Sequence, residues 1–399
     1  SDLDATVGRY TKASAAMVEE AMEAARRAGP AWRAFNTQAR CDLLRKVGDM
    51  LYAEAAAVGE LLSSEEGKTL AEGIGEAVRA AQCFHFYAGE VLRHPGQWHD
   101  SIRDGHNIIV SYEPVGVVAA ITPWNFPMAL PAWKVAGALA YGNTVVLKPS
   151  SFVPGCAVLL ARMLESAGLP KGVFNLVMGD GSKTGNIMID AADALTFTGG
   201  TETGRKVILR AAETMTKVQC ELGGKNPLVV LDDADMDLAV EIAANGAWIQ
   251  TGQRCTGTER FIVHESVHDQ FVERVAKAAS AYRVGHAFDA ETQIGPVANA
   301  PQFAANLQFV QDAQAEGAEA KSNAVRGAIT WRRPYSLGRR TTGRATRKKA
   351  LVRLPPWSRW PTSTRRSSKR TNASMHSRRG SPHAACTTRN DSGAPQRPA

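Results

Sequence analysis

The chain has 399 residues, more than one ordinary hydrophobic core holds, so two or three domains are expected. Hydrophobic residues make up 44% and charged residues 22%, ordinary for a globular protein, and no run of 18 apolar residues offers a membrane-spanning helix. Charge is unevenly placed: residues 321–399 hold 20 Lys and Arg against one acid, Asp391, while the residues before them hold 27 basic and 38 acidic groups, so the net +8 describes neither part.

Ser1–Tyr10 lacks the basic-then-apolar layout of a secretory signal. Six scattered cysteines (Cys41, Cys83, Cys156, Cys220, Cys255 and Cys386) form no C-x-x-C, which argues against a zinc site or disulfide framework and for a reducing, cytoplasmic setting. Helical spacing runs through Ala13–Phe35, then Arg40–Glu66 with Leu43, Leu44, Val47, Leu51 and Leu61 on one buried stripe, then Gly75–Leu92. Gln97–Glu113 alternates in short stretches and predicts a hairpin.

An α/β rhythm follows. Strands are predicted at Gly116–Ile121, Asn143–Leu147, Val173–Val177 and Ala194–Thr198, alternating with helices over Leu130–Ala140, Gly155–Ala167, Lys183–Ile189 and Glu202–Ala212. Continuous apolar strands between such helices imply a parallel sheet covered on both faces, with ligands bound beyond the carboxyl ends of its strands. A second unit starts near Glu221, with strands at Asn226–Leu231 and Arg260–His264 and helices at Asp237–Gln250, Val267–Ala281 and Gln302–Glu316; Asp235 or Asp237 can cap the first. Beyond about Lys321 apolar periodicity vanishes. That segment reads either as a disordered basic tail able to bind nucleic acid or as out-of-frame translation of GC-rich coding sequence, and the second domain's breaking off mid-fold favours the latter.

Several of the residues able to do chemistry stand at strand ends. Asn125, in Thr122-Pro123-Trp124-Asn125-Phe126-Pro127, can donate to a developing oxyanion or merely close a turn. Lys148 suits a ribose or phosphate, or is simply a surface lysine. Gly179–Gly185 is one residue too long for the dinucleotide fingerprint and reads as a tight turn. In Phe197-Thr198-Gly199-Gly200-Thr201-Glu202-Thr203-Gly204 the glycines serve either a pyrophosphate at a helix N-terminus or a close helix–sheet crossing. Glu221, beside Gly223 and Gly224 at the domain junction, is a candidate general base. Cys255, in the polar loop Gly252-Gln253-Arg254-Cys255-Thr256-Gly257, reads as a reactive thiol, whereas Cys41, Cys83, Cys156 and Cys220 read as packing.

Taken in order, T-P-W-N-F-P, L-K-P-S, F-T-G-G-T-E-T-G, E-L-G-G-K and G-Q-R-C resemble the NAD(P)-dependent aldehyde dehydrogenase superfamily, as do Asp232–Asp235 and Ile294-Gly295-Pro296. The resemblance covers roughly residues 5–320 and is greatest to bacterial α-ketoglutaric and succinic semialdehyde dehydrogenases. It implies an α/β fold: a Rossmann-like parallel-sheet NAD(P) domain (1–96 and 115–220), an oligomerisation-type hairpin (97–114), a partial α/β catalytic domain (221–320) and the basic segment 321–399. It implies that Cys255 attacks the aldehyde, Asn125 and the Cys255 N–H hold the oxyanion, hydride passes to the nicotinamide, and Glu221 activates the water that releases the acid, with Lys134 nearby. NAD or NADP would meet Thr122, Pro123, Trp124, Lys148, Ser150, Ser151, Gly181, Gly185, Phe197, Thr198, Gly199, Gly200, Leu222 and Gly223. No metal is implied. The partners implied are a small aldehyde and further copies of the chain, the latter weakened by the altered C-terminus; neither a membrane nor a specific nucleic acid is expected.

Two departures matter. Many NAD-using members carry a Glu where this chain has Ser151; without that carboxylate a 2′-phosphate is not repelled, so NADP is expected to be accepted. Past residue 320 the family's remaining catalytic domain is missing, so an uncovered strand edge, poor stability and weak activity are expected. Glu221 argues against an acylating, coenzyme A-dependent enzyme, and the basic segment motivates a nucleic-acid-binding alternative. Arg254 can either meet a substrate carboxylate or make a structural contact.

Overall fold

The computed structural model describes residues 6–93 and 96–316, together with the backbone of 319–320, 336–338 and 350–354. All of these belong to one of the chain's two units, residues 1–356. Four helices come first: α1 (Ala15–Arg33), α2 (Thr37–Ala53), α3 (Ala55–Glu66) and α4 (Leu70–Glu90). Ser14 caps α1, Asn36 caps α2, and Thr69 forms a reciprocal capping box with Glu72 at α4.

That box starts α4 at Leu70, ahead of the expected Gly75. The single helix expected from Arg40 to Glu66 is in fact two, because Glu54 (φ −97°, ψ 14°) ends α2. Leu44, Val47, Leu51, Val58 and Leu62 stay buried on both sides of this kink, so the apolar stripe carries no mark of the break. A hairpin follows as expected, β1 (Gln97–Asp100) against β2 (Asn107–Val110), with every residue of both strands exposed.

The central sheet contains β3 (Val117–Ile121), β4 (Thr144–Lys148), β5 (Phe174–Leu176), β6 (Ala194–Gly199) and β7 (Lys217–Leu222), all parallel, in the order β5-β4-β3-β6-β7. The connecting helices are α5 (Ala129–Ala140), α6 (Pro154–Ala167), α7 (Lys183–Ala191) and α8 (Thr201–Glu213). Successive strand residues feed opposite cores. Val145 and Leu147 pack with α2–α6, while Val146 packs with α1, α7 and α8. The chain leaves β3 first towards β4 and β5, then returns to β6 and β7, so the strand order reverses beside β3. The fifth strand, β7, extends the sheet past residue 220; as an edge strand it alternates exposed and half-buried positions rather than forming an apolar run.

Behind this sheet, β8 (Pro227–Val230) pairs in parallel with β9 (Arg260–His264), covered by α9 (Met236–Trp248) and α10 (His268–Ala281) around Phe261, Val263 and Phe271. Asp235 caps α9 by accepting from Asp237 and Leu238. α11 (Ala300–Ala315) starts on Asn299. The edge of β9 is not bare, as the sequence leads one to expect. Ala350–Leu354 (β12) lies parallel to it, and β11 (Ser336–Gly338) and β10 (Glu319–Ala320) continue the sheet. Main-chain ladder bonds ask little of side chains, so a short run such as Ala-Leu-Val-Arg-Leu can cap an open edge without longer periodicity. The remainder of 321–399, Cys386 included, lies outside the described residues.

Candidate active site

The carboxyl ends of the central strands open onto a cavity of about 1170 Å³, lined among others by Asn125, Lys134, Gly200, Glu221 and Cys255. Asn125 lies in the turn between β3 and α5. Its Nδ2 donates to the Gln253 carbonyl at 2.9 Å, leaving a second N–H, and its Oδ1 is buried without a partner. Cys255 is exposed in the loop after α9, and Asn226 Nδ2 holds its carbonyl at 2.7 Å. Cys41, Cys83 and Cys156 are buried and Cys220 is half-buried, so among the described cysteines only Cys255 is exposed.

Glu221 is exposed near the end of β7, and its Oε1 accepts from Gln219 Nε2 at 2.7 Å. Lys134 Nζ reaches from α5 to Thr196 Oγ1 at 2.7 Å, and burial lowers its pKa to about 8 against the opposing pull of Glu221 and Cys220. Arg254 lines the cavity, and its Nε is buried without a partner. Its Nη2 donates to the Asn245 and Gly246 carbonyls, both at 2.8 Å, which is the structural contact.

The nucleotide-sized features lie at neighbouring strand ends. Thr122 and Thr198, after β3 and within β6, have buried hydroxyls without partners. Lys148 is buried at the end of β4, donates to the Pro149 carbonyl at 3.0 Å, and has its pKa lowered by burial, with Asp180 opposing. Pro123, Trp124, Leu222 and Gly223 line the cavity. The two roles proposed for the glycines after Phe197 separate by position. Gly204 packs on the Leu222 side chain, a close helix–sheet crossing, whereas a Cβ at Gly200 would meet nothing, leaving the N-terminus of α8 open. Gly181 lies in a tight turn, where Asp180 Oδ1 accepts from Ser182 and Lys183, whereas Gly185 lies within α7 near Ile121. Ser151 donates to the Gly179 carbonyl at 3.3 Å, and Ser150 accepts from the Phe152 N–H. Orphaned hydroxyls, a buried cation and an open helix terminus at adjoining strand ends fit a dinucleotide.

Residues 3–328 match the family model described as the aldehyde dehydrogenase family. The chain belongs to that family. An α-ketoglutarate semialdehyde dehydrogenase of Haloferax volcanii is 42% identical over 300 residues, 75% of this chain and 62% of the relative, so the chain spans less than two thirds of that protein. Among solved structures, an NADP-dependent enzyme of E. coli superposes with a TM-score of 0.85 at 34% identity, covering 88% of this chain and 75% of the other. A succinate-semialdehyde dehydrogenase from Burkholderia pseudomallei gives 0.84 at 35% identity, covering 87% and 74%.

The floor next to the Asn125 turn is a set of buried charges that sequence reading passes over. Lys68, just after the end of α3, is fully buried. Its Nζ donates to Glu76 Oε2 at 2.6 Å and to the Asn125 carbonyl at 2.9 Å, and lies 4.8 Å from the Phe126 ring centre. Glu76 Oε1 accepts from the Met128 and Ala129 N–H groups, satisfying the start of α5. Burial pulls the Lys68 pKa down, but Glu76 and Glu66 outweigh it and hold the ammonium charged; burial pushes Glu66 up to about 7.

The same floor holds the loop that carries the nucleophile. Gln250 (φ 56°), Thr251 (φ 58°) and Gly252 (φ 67°) are consecutive left-handed residues, a conformation that costs about 1–3 kcal/mol at each non-glycine position. Glu72 accepts from the Gln250 N–H at 2.7 Å, Thr251 Oγ1 donates to the Gly295 carbonyl at 3.0 Å, and Gln253 reaches Glu66 and the Ala298 N–H. Gly295 is required there because a Cβ would strike the Gly67 carbonyl. The only sequence trace of this floor is Ile294-Gly295-Pro296 and a capping box at Thr69–Glu72; burial of Lys68 has no local signature.

Proposed function

We propose that this site oxidises an aldehyde carrying a second, anionic end, a semialdehyde, to the carboxylic acid with NAD or NADP as oxidant. The observation that supports it best is that Cys255, Asn125 and Glu221 line one cavity at the carboxyl edge of a parallel sheet. The Cys255 thiolate adds to the carbonyl carbon, and the oxygen that becomes anionic takes the second Asn125 N–H. When bound, the nicotinamide supplies the acceptor for the hydride that leaves the thiohemiacetal carbon. The resulting thioester is attacked by water, whose proton passes to Glu221; the C–S bond breaks, the acid departs and Cys255 leaves as thiolate. Lys134 is one cation of the site, joined to Glu221 through Thr196 and Gln219.

Thr122, Pro123, Trp124, Lys148, Ser150, Ser151, Phe197, Thr198, Gly199, Gly200, Leu222 and Gly223 make up the cofactor surface, with Gly181 in the adjoining turn and Gly185 in the first turn of α7. Ser151 brings no carboxylate, and Lys148 brings a cation, so NADP is accepted; the similar E. coli enzyme is itself NADP-dependent. The substrate class leans on the Haloferax relative, since Arg254 is occupied by backbone carbonyls. Glu221 in the cavity favours hydrolysis over transfer to coenzyme A. Among the described residues no helix is long and apolar enough to cross a membrane, in keeping with a cytoplasmic enzyme. The exposed β1–β2 hairpin, with Trp98 and Ile109 outward, suits association with further copies of the chain.

The test is reduced-nicotinamide formation by the full chain with succinic and α-ketoglutaric semialdehydes, with and without Glu221→Gln. The reading requires turnover by the unaltered chain and a single burst of about one equivalent in the variant. Continuous turnover by Glu221→Gln, or none of either cofactor reduced by the unaltered chain, overturns it.

A further inference from the structure

Four side chains on one face of the central sheet form an unbroken hydrogen-bonded series. Thr196 on β6 is the register partner of Gln219 on β7, and Glu221 lies two residues further along β7 on the same face. Lys134 Nζ donates to Thr196 Oγ1 at 2.7 Å, the Thr196 hydroxyl donates to Gln219 Oε1 at 2.5 Å, and Gln219 Nε2 donates to Glu221 Oε1 at 2.7 Å. Every member is used with one polarity. An ammonium donates at one end, a carboxylate accepts at the other, and the two neutral groups between can satisfy both only in this orientation.

We infer that Gln219 and Thr196 are positioning residues for the water-activating step: together they fix the Glu221 carboxylate and tie its charge to that of Lys134. This rests on the function proposed above. A carboxamide does not relay protons readily, so the coupling is geometric and electrostatic. Glu221 is exposed, and a glutamate on an edge strand has several rotamers open to it; the Gln219 amide selects one of them. The half-buried Lys134 in turn keeps its proton more readily while Thr196 accepts from it and Glu221 stays close.

The other ionisable neighbours leave this pair as the main coupled one. Cys220 on β7 and Cys83 and Tyr87 on α4 are pushed upward by burial and are neutral near pH 7. On the far wall of the cavity, Lys225 is paired with Glu259 at 2.9 Å and Arg254 is held by carbonyls. On α4, Arg79 stacks over Trp133.

The experiment uses Gln219→Leu, Thr196→Val, their double variant and Thr196→Ser in the full chain. Trace acetylation of Lys134 with acetic anhydride across pH, read by mass spectrometry, gives its titration midpoint without cofactor or turnover. Both single variants lower the midpoint, the double variant lowers it no further than the larger single, and Thr196→Ser restores it, because either break severs the same series. In turnover, Gln219→Leu leaves the burst of reduced nicotinamide intact and slows the steady state by roughly tenfold, the range of an imperfectly placed general base. An unmoved Lys134 midpoint in Gln219→Leu, or additive shifts in the double variant, overturns the inference. Failure of the unaltered chain to reduce either cofactor overturns the proposed function instead, and the labelling still decides the coupling.

Discussion

The rim of the cavity and the floor beneath it are built on opposite principles. At the rim, Cys255 and Glu221 are exposed, and the Asn125 amide retains a donor for a reacting oxygen. At the floor, Lys68, Glu66 and Glu76 are buried, and their polar atoms are spent on one another and on the backbone of the Asn125 turn and the start of α5. The rim suits the proposed chemistry because its groups are not fully satisfied. The floor holds geometry because its groups are, and because any break leaves a charge in a dry place. Substitutions at the rim are therefore expected to change rate with little effect on stability, and substitutions at the floor to change both.

The largest expected effect is at the floor. Lys68→Met leaves Glu76 buried and unpaired, and loss of about 3–5 kcal/mol is expected by chemical denaturation. Turnover falls with it, because Asn125 and α5 lose their common anchor. A variant that melts normally would collapse the distinction between the two regions. Next comes the rim: Asn125→Ala should cost about 10²–10³ in kcat, the scale of one oxyanion donor, with a much smaller change in melting temperature. A large stability loss there would make Asn125 part of the floor.

A pH scan sharpens the comparison further. The Glu66 pKa is raised to about 7, chiefly by burial, from an ordinary value near 4.5. The folded state thus binds this proton more tightly than the unfolded chain. The stability it contributes is complete below the unfolded value and is lost as pH rises through about 7. The melting temperature of the unaltered chain should drop between pH 5 and 8, and Glu66→Gln should flatten that drop. An equally steep drop in the variant would remove Glu66 from the account. The smallest effect is at the surface, where Arg274 pairs with the exposed Asp237. Asp237→Asn should change stability by no more than about 1 kcal/mol, measured the same way.

Much of the cavity's upper half is legible from residue order. Prolines around Asn125, glycines after Phe197 and a cysteine in a polar loop are local signals, because each depends on backbone freedom or on departure from an apolar run. Local signals fail where a property belongs to the assembled layers. Nothing around Glu54 marks a kink, since the stripe on both sides faces the same core. Nothing around Gln219 marks a strand residue facing Glu221 and Thr196, since that depends on β6–β7 register. Gln250 and Thr251 read as ordinary residues at a helix end, yet they adopt left-handed backbone because Glu72 and the Gly295 carbonyl, distant in sequence, hold them there.

The sequence by itself determined the parallel α/β sheet, the strand ends that carry Asn125, Lys148 and Gly200, and the singular standing of Cys255 among the described cysteines, since apolar runs, glycines and polar loops act over a few residues. Only the tertiary structure decided that Lys68 is buried against two carboxylates, that Arg254 turns to backbone carbonyls, and that Lys134 reaches Glu221 through two neutral side chains. Burial and partner choice are set by which elements meet, and those elements are far apart along the chain.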